Sequence, residues 1–291
     1  MKNKIFFAKA LFLPALLVLC VGCQKKPTHK TTVASPDVTE SKEDTAVFQE
    51  HVEKEFRVDV YMYTESLSDE PNFLGRTSLA DMEKFSIPEN SKWFIRPTDK
   101  NINDEYLLLF LRKAADFGIR GLSLRECREF TNAGLAHLKN LTELERLNLA
   151  DTRITDAGLA HLKNLTALKR LNLEVTQITD AGLAHLKNMT SLESLKLPVQ
   201  ITDAGLVHLK NMTALESLNL TDTRITDAGL AHLKNMTSVE RLNLPRQITD
   251  AGLAHLKNLT SLKRLDLSET QITDAGLKDF RTARPDVWVW R

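Results

Sequence analysis

The string Thr-Asp-Ala-Gly-Leu occurs six times in the C-terminal half of this chain, and Thr-Asn-Ala-Gly-Leu precedes the first copy. The glycines of these seven copies are separated by 24, 24, 23, 24, 23 and 24 residues. A fixed period in this range is typical of solenoids, in which each unit buries its apolar face by stacking on its neighbours. The spacing therefore predicts a repeat stack, and it favours a recognition function because a solenoid chiefly builds a long surface.

One unit, residues 144–164, shows what each position does. Leu147 and Leu149 alternate with polar residues, which is the pattern of a half-buried strand. Thr155 stands where a helix N-cap belongs, and Asp156 follows in the first turn, where a carboxylate favours the positive end of the helix dipole. The unit is therefore predicted to run from a strand through a turn into a helix.

The helix of this unit is predicted to be short, with Leu159 and Leu162 as its inward stripe. Gly158 lowers its stability by about 1 kcal/mol relative to alanine. Because this glycine recurs in each copy, we expect that a bare Cα is needed where the helix crowds the strand layer. We also expect Asn164 to end the helix in the left-handed conformation.

The repeat resembles the leucine-rich repeat of the ribonuclease-inhibitor-like class, which is found in many exported bacterial proteins. The Leu-x-x-Leu-x-Leu core stands at Leu144-Leu147-Leu149, Leu168-Leu171-Leu173, Leu192-Leu195-Leu197, Leu215-Leu218-Leu220, Val239-Leu242-Leu244 and Leu262-Leu265-Leu267. The resemblance covers roughly residues 122–291. It implies an α/β leucine-rich-repeat solenoid, a curved stack with a parallel sheet on the concave face and short helices on the convex face.

Two features depart from the family's pattern. The turn position that usually holds asparagine holds a threonine, which can still bond the backbone, at Thr152, Thr176, Thr223 and Thr270. The two 23-residue units lack even this threonine and carry Pro198 and Pro245. Because proline cannot donate to a sheet, we expect strand pairing to end early in these units, with local kinks.

Both ends of the stack are predicted to carry caps. Trp93-Phe94-Ile95 is predicted to be a strand, and residues 104–115 an apolar-rich helix. Ile102-Asn103-Asp104 echoes the Ile-Thr-Asp of the repeats, which predicts a divergent first unit. At the other end, residues 286–291 alternate valine with tryptophan and are predicted to form a terminal strand with the valines inward.

The N-terminus has the layout of a secretory signal peptide, with a basic start and an apolar run too short to favour a spanning helix. Val21-Gly22-Cys23 resembles a bacterial lipobox, with Cys20 where leucine is usual, and the resemblance implies that Cys23 becomes lipidated. A plain signal peptide cut nearby is the alternative. Gln24 after the cysteine resembles lipoproteins destined for the outer membrane, so we expect an exported, lipid-anchored envelope protein.

The chain is predicted to divide into four parts. Residues 1–22 are the signal peptide, and residues 23–45 have the composition of a flexible tether. Residues 46–92 form a small N-terminal region of unknown fold, in which Val58–Tyr63 alternates like a strand and no catalytic motif stands out. Residues 93–291 form the solenoid with its caps.

Composition restricts the partners. The net charge of +1 gives no case for nucleic acid or an anionic surface as the main partner, so we expect a protein partner, and a monomeric chain attached to the membrane through its lipid. Cys127 stands alone among the repeats, so no intramolecular disulfide is expected. It is expected to be a small semi-buried residue rather than a reactive thiol.

One histidine position recurs in six consecutive units, at His137, His161, His185, His208, His232 and His255. Such a column is able to bind metal or to sense pH. However, the position lies two residues after a core leucine and so faces outward or sideways, and no cysteine or carboxylate accompanies it at ligand spacing. We therefore predict no metal site and no cofactor.

The outward strand positions are left for function, since they change from unit to unit while the core does not. The residues expected to contact a partner are Arg146, Arg170, Lys196, Asn219, Arg241, Asn243, Arg264, Asp266, Trp288 and Trp290. The leading hypothesis is a non-catalytic, membrane-tethered protein-interaction module. Two alternatives stay open: an enzyme with its activity in residues 46–92 and the repeats holding substrate, and a passive envelope component.

Overall fold

The computed structural model describes residues 57–63, 72–78, 81, 92–100, 104, 107–108, 111 and 118–291, which belong to one compact unit spanning Ser41–Arg291. The predicted signal peptide, the predicted tether and Cys23 lie outside the described residues. No helix in the described part is long and apolar enough to cross a membrane.

The described residues build one sheet of 11 strands. The strands are β1 (Arg57–Tyr63), β2 (Asn72–Ser78), β3 (Lys92–Pro97), β4 (Gly121–Ser123), β5 (Arg146–Asn148), β6 (Arg170–Asn172), β7 (Ser194–Lys196), β8 (Ser217–Asn219), β9 (Arg241–Asn243), β10 (Arg264–Asp266) and β11 (Trp288–Trp290). The strands from β3 to β11 pair in parallel and in chain order, which confirms the predicted parallel sheet. Beyond β3 the sheet continues with β1 and then β2, both antiparallel to their neighbours.

Short helices follow the strands of the repeats. They are α1 (Asn132–Leu135), α2 (Asp156–Leu159), α3 (Asp180–Leu183), α4 (Asp203–Leu206), α5 (Asp227–Leu230), α6 (Asp250–Leu256) and α7 (Asp274–Ala283). Helices α1 to α5 continue into a 3-10 turn, so that each unit holds about two helical turns, as predicted. A threonine with extended backbone precedes every one of these helices, which confirms the predicted N-cap position.

The left-handed residues lie in the turns after the strands and not at the helix ends. Positive φ angles outside glycine occur at Glu126, Asp151, Val175, Asp222 and Glu269. The prediction of a left-handed Asn164 is therefore wrong, because the helix closes with a 3-10 turn that needs no such residue. The next residue in four of these turns is threonine, whose hydroxyl donates to the carbonyl of the last strand-side leucine at 2.6–2.7 Å, as predicted.

The two 23-residue units keep the full strand length. Strands β7 and β9 have three residues each, as in the longer units. The Leu197 and Leu244 N–H groups still donate to the next strand at 3.2 and 3.1 Å. Two residues later the units differ. The Glu126 and Asp151 N–H groups donate to the next unit at 2.9 and 3.0 Å. The N–H groups of Val199 and Arg246, which follow the prolines, make no such bond with any described residue, so pairing ends early there, as predicted.

In each shorter unit a glutamine side chain makes a bond between units that a backbone N–H, such as that of Gln177, makes in the longer units. Gln200 donates through Nε2 to the carbonyls of Thr176 and Ile178 in the preceding unit, at 2.8 and 2.5 Å. Gln247 makes the equivalent two contacts, to the carbonyls of Thr223 and Ile225. The shorter turn is thus held by a side chain that reaches back across the joint between units.

A second set of side-chain contacts joins the units at the helix N-termini. The aspartate that opens one helix accepts two hydrogen bonds from the threonine that caps the next helix. The threonine N–H lies 2.7–2.9 Å from Oδ1, and its hydroxyl lies 2.6–2.7 Å from Oδ2. The pairs are Asp156–Thr179, Asp180–Thr202, Asp203–Thr226, Asp227–Thr249 and Asp250–Thr273, which we call the Asp–Thr ladder.

The ladder extends into both caps. Asp104 accepts from the Thr131 N–H and hydroxyl, which places the predicted divergent unit in register with the repeats. Asn132, the variant residue of the first copy, makes both contacts to Thr155, at 2.9 and 2.8 Å. The last aspartate of the series, Asp274, forms an ion pair with Arg291.

The recurring glycines make room for this ladder. A Cβ on Gly182 would lie 2.3 Å from Asp156 Oδ1, and one on Gly229 would lie 2.1 Å from Asp203 Oδ1. The expectation that a bare Cα is needed is therefore confirmed, but the strand layer is not the neighbour that requires it. The close neighbour is the carboxylate of the preceding unit, which passes over the glycine to reach its threonine.

The core lies between the sheet and the helices, and the terminal strand closes one end of it. Val287 is buried and Val289 packs against the core, which confirms the predicted inward valines.

Arg284 adds a contact that the sequence analysis missed. Its buried guanidinium donates to the carbonyls of Leu259 and Leu262 and to the carboxylate of Asp286, which holds the pKa of that carboxyl below its ordinary value.

Candidate functional site

The outward residues of the repeat strands form two rows across the sheet, which together we call the open face. The first row, in strand register, is Arg146, Arg170, Ser194, Ser217, Arg241, Arg264 and Trp288. The second row is Asn148, Asn172, Lys196, Asn219, Asn243, Asp266 and Trp290. All ten residues predicted to contact a partner therefore lie on this one face.

The centre of the open face is organised around Glu174, which follows β6. Its carboxylate accepts hydrogen bonds from Asn172 Nδ2 and Asn219 Nδ2, each at 3.0 Å, and Lys196 Nζ lies 3.8 Å away. Two of the predicted contact residues, Lys196 and Asn219, are thus engaged within the sheet. A partner that binds here must compete with bonds that already exist.

The C-terminal end of the open face has a different character. Trp288 and Trp290 are 68% and 63% exposed, and they stand in register with Arg264 and Asp266. Arg264 is exposed and forms no hydrogen bond or ion pair with any described residue. A depression of about 680 Å³ runs between these residues and Arg241.

In the second row at this end, Asp266 already has hydrogen-bond partners within the protein. Asp266 accepts from Asn243 Nδ2 at 3.0 Å and from the Ser268 N–H at 2.9 Å. Its carboxylate is therefore fixed in place between Arg264 and the terminal tryptophans. Lys263, which the sequence analysis did not select, also lines the depression; its position directly before β10 was the available signal.

The structure thus separates the predicted contact residues into groups. Six of them, from Arg241 to Trp290 in the two rows, surround the depression at the C-terminal end. Arg146 and Arg170 are half-buried neighbours on β5 and β6, apart from this cluster. Lys196 and Asn219 belong to the Glu174 network between the two.

The histidine column and Cys127 take no part in this cluster. The six histidines lie on the helix side, where each is exposed or half-buried. No group of three or more His, Cys, Asp or Glu residues in the described ranges is placed to hold a metal ion. Cys127 is buried, and burial raises the pKa of its thiol to about 12, which disfavours the reactive thiolate.

An open stack of strand-turn-helix units, with a parallel sheet on one side and helices on the other, defines a leucine-rich-repeat architecture. Residues 142–188 match the family described as Leucine Rich repeats (2 copies), and residues 211–233 and 258–280 match the family described as Leucine Rich repeat. The chain therefore carries leucine-rich repeats.

Many solved structures are similar to this chain, and two of them are internalins. Internalin C2 from Listeria monocytogenes is 23% identical, with a TM-score of 0.50, and the match covers 74% of this chain and 84% of that one. An internalin, inlF, from the same species is 22% identical with a TM-score of 0.43, covering 75% of this chain and 69% of that one. The first likeness supports the fold alone. No curated protein matches the chain.

Proposed function

We propose that this protein is a non-catalytic interaction module that binds a protein partner at the C-terminal end of the open face. The observation that carries the proposal is the pair of exposed tryptophans beside an unpaired arginine, Arg264, around one depression. Tryptophan and arginine are over-represented among the few residues that supply most of the binding energy of an interface. The fixed carboxylate of Asp266 adds an acceptor for a donor on the partner.

The tryptophans are poorly placed for a purely structural role. A residue that shields the end of a core has to cover apolar surface, and the valines of β11 do this, since Val287 is buried and Val289 packs on the core. The indole rings of Trp288 and Trp290 lie mostly in solvent. Exposed aromatic surface of this kind is typical of a contact site that is open before the partner arrives.

A photo-crosslinking amino acid at position 288 tests the proposal in cell-envelope extracts. We expect it to capture a protein that the same group at Val207, an exposed position on the helix side, does not capture. Against that partner, Arg264→Ala, Arg241→Ala and Trp288→Ala should each weaken binding at a nearly unchanged melting temperature. Unchanged binding in all three, with a loss in Lys163→Ala or Lys187→Ala, would move the interface to the helix side.

We further propose that the chain is exported and held at the membrane by a lipid on Cys23, within the ribonuclease-inhibitor-like class of repeats. The support is the Gly22-Cys23 junction after an apolar run and before a polar stretch. Labelled palmitate should enter the wild-type protein, and the Cys23→Ala variant should remain unlabelled and leave the membrane fraction. Label retained by the variant would exclude this anchor without affecting the proposed interaction site.

A further inference from the structure

A second surface of the repeats carries charge of one sign. The segment Ala-His-Leu-Lys-Asn-Leu-Thr, with Val or Met at single positions, occurs in six consecutive units and contains no carboxylate in any of them. Its lysine is exposed in every copy. None of these lysines forms an ion pair or side-chain hydrogen bond in the part of the chain that the structure describes. The residues are Lys139, Lys163, Lys187, Lys210, Lys234 and Lys257, and we call them the lysine stripe.

The carboxylates of the repeats lie outside these segments. The helix-opening aspartates are engaged with threonines in the Asp–Thr ladder. Glu193 and Glu240 lie beside the strands, where Lys169 and Lys263 pair with them. The net charge of +1 is therefore a sum over the whole chain, and it does not give the local potential along the stripe.

The helix ends explain only part of this arrangement. A lysine in the last turn of a helix is favoured by typically a few tenths of a kcal/mol, because it lies near the negative end of the dipole. This dipole effect explains why each unit has a lysine at this position. It does not explain why none of the six lysines has an acidic partner among the described residues. Six unpaired cations at equivalent positions of stacked units repel one another, and an anionic partner that contacts several at once relieves this repulsion.

We propose that the lysine stripe docks the protein against the surface of an anionic lipid bilayer. A bilayer surface fits the stripe because its headgroups are laterally mobile and can meet a row of separate cations that no single cleft encloses. Apart from Val207, the exposed large apolar residues of the described part lie outside these segments, so the contact is electrostatic and superficial. Each lysine near such a surface contributes on the order of a fivefold gain in affinity. The proposal is independent of the partner site, which lies on the opposite, sheet side.

The test uses residues 23–291 carrying Cys23→Ala, which lack the apolar N-terminal run. It measures their binding to phosphatidylcholine vesicles with and without phosphatidylglycerol. We expect co-sedimentation with the anionic vesicles only, with a bound fraction that falls as salt is added. The triple variant Lys163→Gln, Lys187→Gln and Lys210→Gln should bind about 100-fold more weakly. The matched triple variant Lys100→Gln, Arg128→Gln and Lys169→Gln removes the same charge from ion-paired positions, and should bind nearly as wild type.

Three results would overturn the proposal. Equal losses in the two triple variants would show that net charge alone governs binding, and equal binding to neutral vesicles would show that the stripe is not the contact. Binding to heparin without binding to anionic vesicles would assign the stripe to a soluble polyanion instead. Thermal melts of both triple variants, expected to match the wild type, separate these outcomes from a failure to fold.

Discussion

The Asp–Thr ladder and the open face are both built from polar side chains at equivalent positions of successive units, but they differ in what those side chains contact. In the ladder the residue types barely change, and each carboxylate is satisfied by the threonine of the next unit. On the open face the residue types change, and Arg264 is left without a partner among the described residues. A polar column that recurs unchanged and is satisfied holds the stack together, whereas one that varies is available for recognition.

The largest expected effect tests which side of a strand faces the core. Leu171→Ala truncates a residue that is 2% exposed between sheet and helices, and such truncations cost about 2–5 kcal/mol of unfolding free energy. Arg170→Ala changes the adjacent, outward residue and should cost less than about 0.5 kcal/mol. Urea unfolding of the two variants measures both values. Similar losses would remove the distinction between the core side and the open face.

A smaller effect is expected where the glycine meets the ladder. Gly229→Ala would raise the stability by about 1 kcal/mol if helix propensity alone decided the outcome. The added Cβ would instead lie 2.1 Å from Asp203 Oδ1. Two hydrogen bonds, one to each oxygen, hold this carboxylate against Thr226. We expect a loss of about 1–3 kcal/mol, as for other overpacked sites.

The double variant Gly229→Ala, Asp203→Ala identifies the cause of that loss. Asp203→Ala alone removes two hydrogen bonds and should cost about 1 kcal/mol. Because it also removes the atom that the new Cβ meets, the double variant should be more stable than the sum of the two single losses by about 1 kcal/mol. Additive losses would mean that the glycine is needed for another reason and that the ladder is incidental to it.

The smallest expected effect concerns pH. The Thr273 hydroxyl, and then its N–H, hold the pKa of Asp250 below its ordinary value of about 3.9, with Arg291 contributing less. Stability from this shift is fully present above the ordinary value and is lost as the pH falls through the lowered folded value. Asp250→Asn keeps both bonds possible, as Asn132 shows with Thr155, but does not titrate.

Unfolding curves over this acidic range should therefore show a wild-type advantage over Asp250→Asn that shrinks as the pH falls. Asp279→Asn, an exposed aspartate outside the ladder, provides a control with the same charge change. If the difference between wild type and Asp250→Asn stays constant across the range, the ladder carboxylate is not responsible for the shift.

Sequence reasoning predicted the features that depend on local periodicity. They include the strand at Leu147, the N-cap threonines and the inward valines of β11. The repeat-like position of Asp104 also follows from its echo of the repeats. Contacts between units were missed. The aspartate was assigned to its own helix dipole, and Gln200 was not assigned a role, because their partners lie 22 to 24 residues away in the chain.

The residues of the candidate site could be predicted from the sequence. Which of them are bonded within the sheet and which face solvent could not. Alternation along each strand identifies the outward residues, yet it treats Lys196 and Arg264 alike. Only the structure shows that Lys196 faces Glu174 from the neighbouring strand whereas Arg264 faces solvent beside two indole rings. Electrostatic neighbours across a sheet depend on side-chain positions that a single unit does not specify.

The uniform geometry of the Asp–Thr ladder also affects how the number of repeats can change in evolution. From Asp156 onward, each joint between units uses one carboxylate and one threonine, so its geometry does not depend on which two of these units meet. A chain lacking residues 156–179 would bring Thr155 directly before Asp180, which already bonds Thr202. Unequal recombination between the repeats would therefore lengthen or shorten the stack by whole units. The length of the stack could then change while the residues that bind a partner stay the same.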